Sequence, residues 1–280
     1  MEKSNIELAL NGLSISMLPE YGGRISSLTF EGGPDWISQP KAPLVERSVG
    51  DNFIRPEISG WDEMVPTTDA CQSLDEKHIL PDHGEVWSRR WNIESVSQTS
   101  ATLSVKLKTR TLDLWRKISL DESGINFEYR ITNSGSETVP AFWSAHPLFS
   151  ATGVREVRIF PPAELIQTSP ESGAIEQTFL PQNLPPGLSA EFWCSPDMKI
   201  KRVSLKRDSS ESLSLSWNPA EVPYFGIFID SGEFSKDMVI SPQPSIAYRV
   251  SERAAEAAHR IPILAPRQSL TWGLQLKLKR

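Results

Sequence analysis

The stretch Ala101-Thr-Leu-Ser-Val-Lys-Leu-Lys108 alternates apolar and polar residues at every step. A period of two is typical of a β-strand that buries one of its faces. The same alternation recurs over residues 112–120, 125–131, 213–217, 224–229, 238–240 and 270–278. Turn residues separate these runs, as in Asp121-Glu-Ser-Gly124 and Asp230-Ser-Gly232. The pattern predicts an all-β protein of large antiparallel sheets that pack face to face as a β-sandwich.

Helical signals are sparse. The only convincing stretch covers residues 251–259, where Ser251 can cap the N-terminus and alanines favour a short helix. Strands and helices do not alternate along the chain, which argues against a doubly wound sheet or a TIM barrel. The 22 Pro and 16 Gly are scattered rather than collected in one linker. We therefore expect residues 1–280 to form one domain with few short helices.

The composition of the chain limits the kinds of partner that the protein is expected to bind. The net charge of −6 argues against an electrostatic grip on nucleic acid, which needs clustered Lys and Arg. The longest apolar runs, such as residues 224–229, are too short to cross a bilayer, and no secretion signal is visible. Cys71 and Cys194 are far apart and form no CxxC pair. These features predict a cytoplasmic protein without a nucleic-acid or membrane partner.

Two of the four histidines stand in settings that suit a ligand site. His83 lies in Leu80-Pro-Asp-His-Gly-Glu-Val-Trp87, where Pro81 and Gly84 hold it on a turn or strand end. His146 lies among large apolar residues in Ala141-Phe-Trp-Ser-Ala-His-Pro-Leu-Phe149. An imidazole in such surroundings could donate a proton near neutral pH. A hydrogen-bonded loop histidine and a satisfied core histidine remain the alternatives.

A second candidate region is the loop Ser59-Gly-Trp-Asp-Glu-Met-Val-Pro-Thr67. On an extended chain Asp62 and Glu63 point in opposite directions, so at most one of them would face a given cleft. Arg55 precedes the loop and could donate several hydrogen bonds to sugar hydroxyls. Trp61 and Trp87 offer flat apolar surfaces for a pyranose ring. The alternatives are a solvated charge cluster and tryptophans buried in the core.

The order of the motifs resembles the aldose 1-epimerase (galactose mutarotase-like) family from about Leu10 to Leu278, particularly its bacterial branch with a Gly-Trp-Asp-Glu loop. The resemblance is carried by five segments: Tyr21-Gly-Gly-Arg24-Ile-Ser-Ser-Leu28, Pro81-Asp-His-Gly-Glu-Val-Trp-Ser-Arg-Arg-Trp91, Ser144-Ala-His-Pro-Leu-Phe149, Pro223-Tyr-Phe-Gly-Ile-Phe228 and Leu264-Ala-Pro-Arg-Gln-Ser-Leu-Thr-Trp272.

This resemblance implies the galactose mutarotase-like supersandwich, a hexose as the small-molecule partner, and catalysis without a metal or organic cofactor. In that family a carboxylate base takes the anomeric proton while a histidine protonates the ring oxygen, so that the ring opens and closes again as the other anomer. The resemblance assigns the acid to His146 and a hydrogen bond to the ring or to O1 to His83.

The chain departs from the family at the base. The family has a glutamate just before a proline, whereas Val239-Ile-Ser-Pro-Gln-Pro244 places Ser241 at that position. A serine hydroxyl cannot accept the proton at neutral pH without a partner that activates it. Either Asp62, Glu63 or Glu85 replaces the base, or the protein binds a sugar without efficient epimerisation.

A third hypothesis, from a different class, is an enzyme unrelated to sugars with a metal site built on His78, Asp82 and His83. Asp82 and His83 would diverge on an extended chain, and no third close ligand is evident. We therefore rank this hypothesis last.

Overall fold

The computed structural model describes residues 5–169, 179–249 and 251–279. Strands account for most of the regular structure in these ranges. In chain order they are β1 (Ile6–Leu10), β2 (Leu13–Leu18), β3 (Arg24–Phe30), β4 (Trp61–Met64), β5 (Cys71–Gln72), β6 (Ile79–Leu80), β7 (Asn92–Val96), β8 (Ser100–Lys106), β9 (Leu112–Asp121), β10 (Gly124–Asn133), β11 (Val139–Pro140), β12 (Ser144–Pro147), β13 (Phe149–Ser150), β14 (Val154–Phe160), β15 (Leu165–Ser169), β16 (Ser189–Cys194), β17 (Arg202–Arg207), β18 (Ser212–Trp217), β19 (Tyr224–Asp230), β20 (Val239–Ser245), β21 (Ile263–Leu264) and β22 (Ser269–Lys279).

Helices are few and short, as the sequence predicted. The helix α1 spans Glu252–Ala257, and the hydroxyl of Ser251 caps it by accepting a hydrogen bond from the backbone N–H of Ala254 at 3.2 Å. Short 3-10 turns cover Pro19–Tyr21, Val86–Ser88 and Pro181–Asn183. No helix in the described ranges has the length and apolar character needed to cross a bilayer. The prediction of an all-β protein is confirmed.

Two large antiparallel sheets form the body of the described chain. One has ten strands in the order β1-β2-β3-β4-β12-β20-β19-β16-β15, with β13 also paired to β20. The other has eight strands in the order β14-β17-β18-β22-β10-β9-β8-β7. Their inner faces meet, since Trp61 of β4 stacks on Phe127 of β10 with ring centroids 4.7 Å apart. The predicted face-to-face packing of large sheets is therefore present.

The core forms because the strands alternate. In β9 the buried positions recur at every second residue, and Leu114, Arg116 and Ile118 point toward the other sheet. One contiguous apolar cluster takes residues from both sheets. The assignment of residues 1–280 to one domain stays a prediction.

The strand β20 is longer than its sequence pattern indicates. The alternation stops at Ile240 because Pro242 and Pro244 follow, and a proline cannot donate to a ladder. The structure continues the strand to Ser245, since β19 pairs with it along its whole length. On the other side the pairing is interrupted: β13 pairs at Val239 and Ile240, and β12 only at Ser245. The two prolines lie in this gap, which is next to the segment that carries His146.

Candidate active site

The imidazoles of His83 and His146 lie side by side on the outer face of the ten-stranded sheet. Their ring centroids are 5.2 Å apart, with an interplanar angle of 67°. His146 is on β12, where it pairs with Asp62 of β4, whereas His83 is in the loop that follows β6. Because neighbouring β4 residues point to opposite faces, Asp62 shares the face of His146 and Glu63 points into the sandwich.

Both histidines line a pocket of about 560 Å³. This is the size range of small-molecule sites. The lining combines apolar side chains with a few polar ones: Phe53, Ile54, Ile58, Thr68, Asp69, Asp82, His83, His146, Leu148, Thr168, Glu191, Phe228, Phe234, Ser235, Gln243 and Arg249. Aromatic and aliphatic surface beside convergent hydrogen-bonding groups suits the mixed surface of a sugar.

Local backbone geometry fixes His83. Its φ is 57°, and Gly84 follows with φ 69°. A Cβ at Gly84 would come within 2.1 Å of the carbonyl oxygen of Val65, so only glycine fits there. The imidazole of His83 stacks on Phe53 with centroids 3.6 Å apart, and its Nδ1 lies 2.9 Å from Oδ1 of Asp82. The ring is therefore held from two sides, and its Asp82 contact occupies Nδ1.

His146 has a different environment. Its side chain is buried, and its Nδ1 has no hydrogen-bond partner among the described residues. Burial lowers the pKa of His146 well below 6.5, and the positive charges of His83, Arg55 and Arg24 lower it further. The imidazole is consequently neutral at pH 7, and its protonated form is a strong acid for an imidazole.

Phe53 connects the imidazoles to a buried arginine. Arg55 places its guanidinium 4.0 Å from the Trp87 ring centroid and 4.7 Å from the Phe53 ring centroid. Its Nη1 donates to the carbonyl oxygen of Phe53 at 2.6 Å. Burial lowers the pKa of Arg55 to about 10, so it stays charged at neutral pH. Neither Arg55 nor Trp87 is among the side chains that line the pocket.

Comparisons with known proteins agree on the architecture. The family model described as aldose 1-epimerase matches residues 67–161, and no curated protein sequence matches the chain. Similar solved structures include a protein of Synechocystis sp. PCC 6803 with a TM-score of 0.75 and 15% identity, covering 100% of this chain and 96% of that one. A galactose mutarotase-like protein of Lactobacillus casei gives 0.71 and 15%, covering 99% and 100%. The GalM/aldose epimerase homologue of C. elegans gives 0.70 and 13%, covering 99% of both chains.

This chain has the galactose mutarotase-like fold. The resemblance to aldose 1-epimerases predicted from the sequence is confirmed. The assignment to a branch with a Gly-Trp-Asp-Glu loop stays a prediction, and the structure places Trp61, Asp62 and Glu63 in the strand β4 rather than in a loop.

Within this mutarotase-like fold, the three carboxylates that the sequence offered as a base are engaged elsewhere. Both oxygens of Asp62 accept hydrogen bonds from Arg24, at 3.1 and 3.0 Å. Glu63 is fully buried between the sheets and accepts from Arg116. Glu85 is fully buried too, and its Oε1 accepts from the backbone N–H groups of residues 108 and 109. None of the three lines the pocket.

Ser241 and Trp61 also lie outside the pocket lining. Ser241 is fully buried in β20, and its hydroxyl has no hydrogen-bond partner among the described residues. Trp61 is buried in the sandwich against Phe127 and Phe149. It therefore offers no surface to a ligand in this pocket.

Several pocket residues carried no sequence signal that singled them out. Phe53 lies two residues before Arg55 in a stretch without a recognisable motif, and Glu191 lies in an ordinary alternating strand, β16. Gln243 follows the predicted base position by two residues on the same face of β20. Glu191 and Gln243 line the same pocket as the two imidazoles because of how distant strands pair, and the sequence does not display that pairing.

The residues of the metal hypothesis are not brought together. Asp82 contacts His83, but His78 is outside the pocket and donates its backbone N–H to the hydroxyl of Ser73. In the described ranges no group of three His, Cys, Asp or Glu side chains is placed to hold a metal ion.

Proposed function

We propose that the pocket containing His83 and His146 binds a hexose and interconverts its α and β anomers. The observation that carries the proposal is the convergence of the two imidazoles, 5.2 Å apart, on a pocket of about 560 Å³ in a mutarotase-like fold. The coarser statement, a protein of aldose 1-epimerase type, rests on the family match and the fold. The hexose and the individual roles of residues belong to the proposal.

The pocket lining supports a sugar as the ligand. Phe53, Phe228 and Phe234 supply apolar surface for the C–H face of a pyranose. Thr168 and Gln243 supply hydroxyl and amide groups for its hydroxyls, and the Oε1 atom of Gln243 has no partner among the described residues. A buried acceptor without a partner costs free energy unless a ligand or water binds it, so it favours occupation by a hydroxyl.

The proposed chemistry is ring opening and closure by proton transfer. A base takes the proton of the anomeric hydroxyl, the C1=O1 carbonyl forms, the C1–O5 bond breaks, and O5 takes a proton from an acid. Rotation about C1–C2 then presents the other carbonyl face, and the reverse transfers close the ring. His146 is the proposed acid at O5, because burial and nearby cations make its imidazolium readily give up a proton. His83, held by Phe53 and Asp82, hydrogen-bonds the sugar.

The experiment is a direct measurement of anomer interconversion. Freshly dissolved α-anomers of D-glucose, D-galactose, D-mannose and their 6-phosphates are followed by polarimetry, and saturation-transfer NMR at equilibrium measures the same exchange. The wild type should accelerate the exchange of at least one sugar over buffer. His146→Gln should lower kcat by about 10²–10⁴-fold, the usual range for loss of an acid–base group. His78→Gln, an equivalent change outside the pocket, should leave kcat unchanged.

A sugar-binding protein without epimerase activity is the second candidate, and Ser241 favours it. Calorimetry distinguishes the two: binding of a hexose without faster interconversion of any of the six sugars would establish the binding protein and refute the epimerase. Activity that His146→Gln retains would refute the role of His146. We also propose a cytoplasmic location, for which cell fractionation is the test.

A further inference from the structure

Glu191 on β16 is at the same level of the sheet as the position where the family has its base. The register pairs Glu191 with Phe228 of β19 and Phe228 with Ser241 of β20. The three residues thus form one row across neighbouring strands and point to the same face of the sheet, where Glu191 and Phe228 line the pocket. At about 4.8 Å per strand, Glu191 stands roughly 10 Å from Ser241 along this row.

The carboxylate of Glu191 can reach a ligand in the pocket, whereas the carboxylates of Asp62, Glu63 and Glu85 cannot. It lines the pocket and is partly buried, and its Oε2 accepts a hydrogen bond from the hydroxyl of Thr168 at 2.8 Å. In the part of the chain that the structure describes, no Lys or Arg forms an ion pair with it. Asp62, Glu63 and Glu85 instead pair with Arg24, Arg116 and Arg89, respectively.

The other two pocket carboxylates are placed differently. Asp82 contacts Nδ1 of His83 at 2.9 Å and positions that ring. Asp69 also lines the pocket, but its side chain is exposed, whereas that of Glu191 is partly buried; neighbouring groups desolvate the Asp69 carboxylate and raise its pKa, and the charge of His83 opposes that rise. Glu191 is therefore the pocket carboxylate that combines partial burial with freedom from an imidazole contact. A carboxylate with this combination is suited to proton transfer.

We infer that Glu191 is the carboxylate that exchanges a proton with the anomeric oxygen O1 of the bound hexose, while His146 exchanges one with O5. The inference rests on the proposed function, because it names the second group of the same acid–base pair. It also explains how a chain with Ser241 at the family's base position can still be active.

The proton transfers balance over the pair. Glu191 takes the O1 proton, the O1–H electron pair forms the C1=O1 bond, the C1–O5 pair returns to O5, and His146 protonates O5. After rotation about C1–C2, His146 takes the hydroxyl proton of O5 as that oxygen attacks C1, and Glu191 returns its proton to O1. The pair holds one proton throughout, and no other reactant is needed.

The surroundings of Glu191 support this assignment. Burial raises the pKa of Glu191 above its ordinary value, and the negative charge of Asp69 adds to the rise, whereas the hydrogen bond from Thr168 and the charge of His83 oppose it. A carboxylate whose proton affinity is raised toward that of an imidazole is a better base for a hydroxyl proton than a fully solvated one.

The test uses the full chain and α-D-glucose and α-D-galactose as probes. Glu191→Gln keeps the shape and the acceptor for Thr168 but removes the base, so kcat should fall by about 10²–10⁴-fold with KM changed much less. Glu191→Asp should retain part of the activity, since it keeps a carboxylate one methylene shorter. The matched control is Glu122→Gln, in the exposed turn between β9 and β10, which should be as active as the wild type. Circular dichroism and thermal melting establish that each variant is folded.

A second variant gives a readout that a purely structural role would not move. Thr168→Val removes the hydrogen bond that stabilises the ionised carboxylate, so the low-pH limb of kcat/KM should shift to higher pH. The role of Glu191 alone would be overturned if Glu191→Gln kept the wild-type acceleration within about threefold. It would also be overturned if the low-pH limb of kcat/KM did not shift in Thr168→Val. A wild type that accelerates neither these probes nor the other sugars would overturn the proposed function and this role with it.

Discussion

Replacing Glu63 by leucine should destabilise the protein strongly, because Glu63 links the two sheets at the centre of the sandwich. Its Oε1 accepts from Nη1 of Arg116 and from the hydroxyl of Tyr129, both at 2.9 Å, and its Oε2 accepts from the indole N–H of Trp143 at 2.8 Å. Glu63 and Arg116 have 0% exposed side chains. Burial raises the pKa of Glu63, and the guanidinium of Arg116 opposes that rise.

The magnitude follows from what the leucine leaves behind. A buried guanidinium that loses its carboxylate costs about 3–5 kcal/mol, and each buried donor without an acceptor costs about 1–3 kcal/mol. The losses overlap at one site and do not add fully, so we expect at least about 4 kcal/mol in the free energy of unfolding. For a slope of about 3 kcal/mol per M urea, the unfolding midpoint should fall by more than about 1 M.

The assay is urea unfolding followed by tryptophan fluorescence and circular dichroism. Glu128→Leu is the matched control, because Glu128 is on β10 beside Lys117 in an exposed pair, where the expected loss is below about 1 kcal/mol. Glu63→Leu combined with Arg116→Leu should recover part of the loss, since it removes the unpaired charge. Equal midpoint shifts in Glu63→Leu and Glu128→Leu would refute the reasoning.

Two further predictions concern the pocket. Burial and the charges of His83 and Arg55 hold the pKa of His146 well below 6.5, so only a small fraction of His146 carries the proton it donates. As the pH falls from 8 to 7, kcat/KM should therefore rise about tenfold per pH unit, and the rise should end where Glu191 becomes protonated. A pH–rate profile with its maximum above pH 7 would contradict this. Phe53→Leu removes the ring stacked on His83 at 3.6 Å and should raise KM by about 2- to 10-fold, the equivalent of about 0.5–1.5 kcal/mol. Phe160→Leu is the control, because Phe160 lies outside this pocket. An unchanged KM in Phe53→Leu would contradict a role of the stacked rings in binding.

The strands could be predicted because their signal is local. Residues 101–108, predicted from alternation, correspond to β8 at Ser100–Lys106, and residues 251–259 correspond to α1 at Glu252–Ala257. The pattern failed at Pro242 and Pro244, which ended the predicted strand too early. Two prolines are tolerated there because, on the side away from β19, β13 pairs only at the start of β20 and β12 only at its end, which is a property of the sheet rather than of the residues.

The sequence by itself determined the all-β class, the short capped helix and the two histidines, since period-two burial, helix caps and turn residues act within a few positions of one another. Only the tertiary structure decided which carboxylates face the pocket. The alternation of side chains along a strand predicts that Asp62 and Glu63 point to opposite faces. The arginines that pair with them, Arg24 and Arg116, lie 38 and 53 residues away in the chain. The register that places Glu191 in one row with Phe228 and Ser241 joins three strands, and long-range pairing of this kind is set by how the buried faces pack.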